Sequence, residues 1–333
     1  MNDTILGGDP RRLISHLALY GLAAICADAG HTDLRLSWTA GMTPRPRLTI
    51  DPDLVGPIVH AHAATRHWTQ ETIDLAGKPR GLMSPRLTAI ADEEGWRDLR
   101  NRRHAVLDTL TTARADGDLR LLAALGEPCY WRADPRTGRI LQDEAANRLE
   151  MQPRNNGAEF VRTRLSKIAK VIADRTPTQI LDGLLGNRVR DEFSKNAPDG
   201  CSATGLDTPG PVDNAIVWCA LWGISQTSLA LQTTRAAVTS ASVRIDRTEH
   251  LFTPLWHTPW HPARLRTILT SRPLNQAATA FLRGGTLDTA CRHWLAARGV
   301  TAVITFPVTI HGSDKAPERR VGTGKLHPLG ARP

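Results

Sequence analysis

Apolar positions along this chain recur with two different periods. Residues 13–26, "LISHLALYGLAAIC", form a nearly continuous apolar run, with Asp9 placed to cap it, Pro10 at the first helical position and Gly30 to end it. That pattern predicts a buried helix. "LRLSW" and "RPRLTI" follow, alternating polar and apolar around "TAGMTP", which predicts a hairpin. Residues 53–70 and 86–125 read as mostly helical, the second span carrying charge pairs in "ADEEGWRDLRNRRHAVLDTL".

The texture changes between Gly126 and Pro153, where Pro, Asp, Gly and charged residues mix and a strand pair is expected around "DPRTG". This sets a soft boundary between two loosely defined parts, residues 1–150 and 151–333. In "QPRNNGAEFVRTRLSKIAKVI" the turn formers Pro153, Asn155, Asn156 and Gly157 precede Val161, Leu165, Ile168 and Ile172, spaced four, three and four apart. A helix starting near Gly157 would bury those four on one stripe. Arg162, Lys167 and Lys170 fall away from the stripe, and Arg164 sits at its edge with a stem able to lie on apolar surface. The simplest reading of that face is solvated exterior; the alternative is a face that holds phosphates.

"PTQILDGLLG" predicts a second helix, and "NRVRDEFSKNAPDGCSATGLDTPGPVD" a long loop of turn formers, functional or mobile. "NAIVWCALWGISQTSLAL" reads as an apolar helix or a buried strand, and "VTSASVRI" as a strand. "LFTPLWHTPWHPARLRTILTS" reads as a Pro-rich, Trp-bearing turn into a helix, and "LDTACRHWLAARG" as a helix ended by Gly299. "VTAVITFPVTI" is the clearest strand, and the basic, Gly- and Pro-rich "HGSDKAPERRVGTGKLHPLGARP" reads as loop. Helices mixed with short antiparallel strands, without strict alternation, predict an α+β fold.

Charge changes this picture more than composition does. Residues 1–150 hold 19 Lys and Arg against 20 Asp and Glu, whereas residues 151–333 hold 23 against 13, so the excess of +9 lies in the second part. Such a concentration of one sign attracts polyanions. No stretch approaches the roughly 18 apolar residues of a membrane span, and "MNDTILGGDPRR" lacks the order of a signal peptide, so a cytoplasmic protein without membrane contact is expected. Five scattered cysteines, none in a C-x-x-C pair, support neither a disulfide framework nor a Cys-rich zinc site.

Local catalytic signatures are missing. "VGTGK" fails as a phosphate-binding loop, because Arg319 replaces the first Gly and Leu326 the hydroxyl residue. "GISQT" lacks the second Gly of a nucleophile elbow. His60, His62 and His67 in "HAHAATRH" could ligate a metal, but His60 and His62 point to different faces of a helix. Trp256 and Trp260, four residues apart, suit core packing better than base stacking. No catalytic residue, cofactor or metal is assigned from these patterns.

The order of "GGDPRRLISHLALYGLAAI", "LRLSW", "GPVDNAIVWCALWGIS", "LFTPLWHTPWHPARLRTIL", "RGVTAVITFPV" and "RRVGTGKLHPLG" resembles proteins encoded in type I-G (formerly I-U) CRISPR loci, among them Cascade-type subunits and accessory proteins. The resemblance implies a non-catalytic nucleic-acid-binding component of a crRNA-guided effector complex or its accessory protein. Its partners would be crRNA or target DNA and other Cas proteins of the locus. Base pairing would supply sequence specificity and the protein would hold backbone. Under that reading the phosphate contacts would be Arg154, Asn155, Asn156, Arg162, Lys167 and Lys170 at the start and outer face of the 157–172 helix. Arg188, Arg190 and Lys195 in the long loop and Arg319, Arg320 and Lys325 near the C-terminus would add to them. The alternatives are a metal-dependent nuclease or RNA-processing enzyme using the histidines, and a protein-binding scaffold using the Trp256 segment.

Overall fold

Thr4–Ile5 (β1) leads into the helix on which much of the molecule packs, α1 (Leu13–Asp28), buried without a break from Leu13 to Cys26 in a computed structural model of the chain. The structure describes residues 3–75, 77–85, 87, 93–126, 131–133, 140–142, 147–150, 160–196, 205–208, 210–230, 238–313 and 316–330. The helix starts later than the sequence suggests. Asp9 caps no helix but accepts from the Arg11 N–H at 2.7 Å, holding a turn ahead of α1.

β2 (Leu36–Trp38) and β3 (Pro46–Leu48) make the expected hairpin, and β1 joins β3 to complete a three-stranded antiparallel sheet. Asp51 caps α2 (Pro52–Ala64) by accepting from the Asp53 N–H at 3.1 Å. A short hairpin follows, β4 (Thr72–Leu75) with β5 (Lys78–Gly81), then α3 (Glu93–Thr112) and α4 (Asp116–Leu125). β6 (Trp131–Ala133) and β7 (Ile140–Gln142) are the strand pair expected around residues 134–138.

The helix start expected near Gly157 lies outside the described residues. From Phe160 the helix is present, first as a π-helical turn over Val161–Leu165 and then as α5 (Ser166–Ala173). Val161, Leu165, Ile168 and Ile172 are all at most 1% exposed, so the stripe is buried as the spacing requires. α6 (Pro177–Leu185) opens with a reciprocal Thr176–Gln179 capping box. α7 (Asn214–Gly223) resolves the helix-or-strand ambiguity in favour of helix, and every one of its residues is buried.

The C-terminal half supplies the larger sheet. After the small pair β8 (Leu229–Ala230) and β9 (Val238–Thr239) come β10 (Ser242–Ile245) and β11 (Thr248–Trp256). Three helices follow, α8 (Pro262–Leu269), α9 (Arg272–Leu282) and α10 (Thr289–Ala297). β12 (Val300–Ser313) then pairs with β11 along one side, and with β13 (Ala316–Val321) and β14 (Lys325–Pro328) in succession along the other.

Two sequence expectations are corrected here. "LFTPLW" is a sheet strand and not the approach to a turn; β10 ends its pairing at Leu251, so Pro254 lies where that side of β11 needs no N–H. The C-terminal basic stretch is two strands, because the long β12 offers a second edge that overrides a weak local preference.

Helix and sheet halves are joined by side chains from α1. The His16 ring lies 4.5 Å from Trp38 and 5.9 Å from Phe306, and its Nε2 meets the Pro10 carbonyl at 2.8 Å. Trp256 and Trp260 stack at 4.3 Å, both buried, and Leu36 exchanges backbone hydrogen bonds with Trp260. These tryptophans are therefore core. α1 crosses α7 at its glycines: a Cβ on Gly21 would lie 1.7 Å from the Cys219 carbonyl oxygen, and one on Gly223 would lie 2.1 Å from that of Leu17. The buried cluster runs from Leu6 to Leu329 and crosses residue 150, in an α+β fold.

Candidate nucleic-acid interface

α5 turns Lys167 and Lys170 outward because Ile168, Ala169 and Ile172 occupy its inner face. Just beyond its end, Arg175 does the opposite and enters the protein. Its guanidinium donates to Asp213 Oδ1 at 2.7 Å, to the Arg190 carbonyl at 2.7 Å and to both Glu192 oxygens at 3.0 and 2.5 Å. Asp213 in turn caps α7 through the Ala215 N–H at 2.7 Å and accepts from the Arg190 N–H at 2.9 Å. A buried cation is tolerable only when its donors are met, and here the forked guanidinium is met on every side.

The consequence is a fixed loop. Residues 187–196 are held against α5 and α7 by Arg175, and Asp191 adds hydrogen bonds from the Ser194 N–H and the Asn214 amide, each 3.1 Å. Lys167 Nζ reaches over this loop, 6.0 Å from the Phe193 ring centroid. The described part of the long turn-rich segment is thus a structured platform.

Over residues 160–196 the sequence carries eight Lys and Arg against four Asp and Glu. Glu192 is committed to Arg175, and Asp191 is buried among its own hydrogen bonds. Lys167, Lys170, Arg188 and Lys195 are exposed and have no acidic partner among the described residues. Arg162 and Arg190 are half-buried at the same platform, and Arg190 contributes its backbone to the Arg175 cluster.

The remaining candidates do not all join this group. Arg154, Asn155 and Asn156 lie outside the described residues. Arg319, Arg320 and Lys325 sit on β13 and β14, a separate element of the molecule. Arg319 donates to Glu249 at 2.6 Å, and Glu249 also has Arg148 Nε at 3.6 Å. Arg319 is therefore paired with an acid within the fold. Lys325 is exposed at the end of the sheet.

The three histidines are not brought together. His60 Nε2 meets the Ala173 carbonyl at 3.1 Å, His62 is buried against Trp222 with ring centroids 4.3 Å apart, and His67 begins a short 3-10 turn. Among the described residues no group of three or more His, Cys, Asp or Glu could hold a metal ion. Ser225 of "GISQT" is buried and donates to the Trp222 carbonyl at 2.6 Å. No helix among the described residues is long and apolar enough to cross a membrane.

Sequence reasoning did not single out Arg175, Glu192 or Asp213, the residues that organise the platform. The available signal was weak: a cation directly after the helix C-terminus, and an Asp directly before an apolar run. No family model matches the chain, and no curated protein matches it.

Proposed function

We propose that the protein is a non-catalytic component that holds nucleic-acid backbone, as a subunit or accessory of a type I-G CRISPR ribonucleoprotein whose segment order it resembles. One observation carries the reading. Four exposed cations, Lys167, Lys170, Arg188 and Lys195, surround a loop whose acids are spent internally on Arg175 and on local backbone. Binding to such a surface is driven by counterion release, with phosphates as the complementary partner. A loop already fixed before binding loses less conformational freedom when the partner arrives.

The test is fluorescence anisotropy with labelled single-stranded RNA and DNA across a salt series. Affinity should fall steeply with salt, and Lys167→Gln with Lys170→Gln should flatten the slope of log K against log salt by about one for each cation removed from a phosphate. Arg319→Gln should leave that slope unchanged, since Glu249 already holds its charge. Absent or salt-independent binding would remove the proposal.

A further inference from the structure

We propose that the cleft between the C-terminal end of α1 and α2 binds a small organic cation, an apolar body carrying a primary ammonium or amidinium head that donates to Asp28 in front of the buried His62 ring. The proposal is independent of the polynucleotide reading.

The cleft encloses about 410 Å³, within the usual range for small-molecule sites. Ile25, Pro57, Ile58 and Ala61 give it an apolar wall, and Asp28, His62 and Arg66 form its polar end. The hydrogen-bond inventory at that end is incomplete in a specific way. His62 is 6% exposed, yet neither ring nitrogen has a hydrogen-bond partner among the described residues. The ring is set edge-on against Trp218 at 5.6 Å and Trp222 at 4.3 Å. Asp28 Oδ2 lies 4.0 Å from its Nε2, too far for a direct bond.

Arg66 does not complete either group. Its Nε lies 2.9 Å from Asp118 Oδ1, its Nη1 donates to Thr65 at 3.0 Å, and its guanidinium rests over Trp222 at 5.3 Å. Its approach to Asp28 Oδ2 is only 3.8 Å. Asp118 also takes the Trp68 indole N–H at 2.5 Å. What remains open is a carboxylate with no hydrogen bond among the described residues and an imidazole held neutral by burial and by Arg66. His62 is the buried, unpartnered member of this end, and the Asp28 carboxylate, its side chain 18% exposed, is the acceptor that the cleft presents to a donor.

The missing partner must donate. A carboxylate accepts only, and the His62 nitrogens behind it are closed off. Charge agrees: Asp28, Asp116 and Asp118 outnumber Arg66 and Arg120 by one with His62 neutral, which favours a cation over an anion.

Benzylamine is a suitable probe, with benzoate as the control of opposite charge, both titrated into the full chain at pH 7.5 by isothermal calorimetry. Benzylamine should bind saturably, Asp28→Asn should weaken it at least tenfold, and benzoate should bind at least tenfold more weakly than benzylamine. Ala61 is exposed on the rim, so Ala61→Trp should fold, as checked by circular dichroism, and should block the cleft. This second variant decides the matter if Asp28→Asn is unstable. No saturable benzylamine binding, unchanged affinity in either folded variant, or equal binding of benzoate would overturn the assignment.

Discussion

Two charge clusters abut the two ends of α7, and they are finished differently. At its start Asp213 meets Arg175, whose guanidinium is satisfied by two carboxylates and a carbonyl. At its far end Trp222 covers His62 and Arg66, where Asp28 and His62 stand 4.0 Å apart without a bond. Arg and Asp occur in both, so the sign of the charges alone does not separate them. The Arg175 cluster closes on itself and fixes a loop, whereas the His62 cluster stops short of closure beside a cavity. The first network is structural, and the second leaves a carboxylate at the wall of a cleft.

If that contrast holds, the two clusters should answer mutation with opposite signs. Arg175→Met leaves Asp213, Glu192 and the Arg190 carbonyl facing an apolar side chain, and should cost about 3–5 kcal/mol in urea denaturation. A loss below about 1 kcal/mol would mean the cluster is not closed as described. Gly21→Ala should cost about 1–3 kcal/mol through overpacking, because its Cβ meets backbone and not a flexible side chain. It should also disturb the open cluster more than the closed one, since Asp28 rides on α1 and no member of the Arg175 cluster does; benzylamine titration of the variant reads that difference. His62→Phe should change stability by less than about 1 kcal/mol, or raise it, because an unpaired buried polar group is exchanged for a ring. A loss of about 2 kcal/mol there would show that the imidazole already has its partner.

The helices were legible from sequence wherever one stripe or one run decided them. Val161, Leu165, Ile168 and Ile172 announce α5, and the apolar run from Leu13 announces α1. Strands whose stability comes from a neighbour were not: "APERRV" and "KLHP" carry Pro and charge, and become β13 and β14 only because β12 is long enough to pair with both. Sites fared in the same way. Lys167 and Lys170 follow from helical spacing alone, but Arg175 follows Asp174 and reads as surface until Glu192 and Asp213, 17 and 38 residues on, are folded around it. His62 stood out for its histidine neighbours, whereas its actual surroundings come from α1, α7 and Arg66, four residues further along. The four-residue spacings of His62 to Arg66 and of Trp218 to Trp222 were the signal that could have located the cleft.

The smallest effect expected is also the one that separates an open acid from a closed one. Burial raises the Asp28 carboxyl to about 6, opposed by Arg66 and Arg120 and assisted by Asp118 and Asp116, with neutral His62 facing it across the cleft. A folded-state pKa above the unfolded value means that the native chain binds the proton more tightly. The stabilisation from Asp28 is therefore fully present below about pH 4 and is lost as pH rises through about 6. Because the carboxylate keeps some contact with water, screening reduces the size of the effect. Wild type should accordingly lose stability relative to Asp28→Asn between pH 4.5 and 7.5, measured as a difference in urea midpoints. A bound cation should reverse the trend for wild type alone, since its affinity grows as Asp28 ionises. A midpoint difference that is flat with pH, with and without benzylamine, would place Asp28 in water and make the two clusters alike.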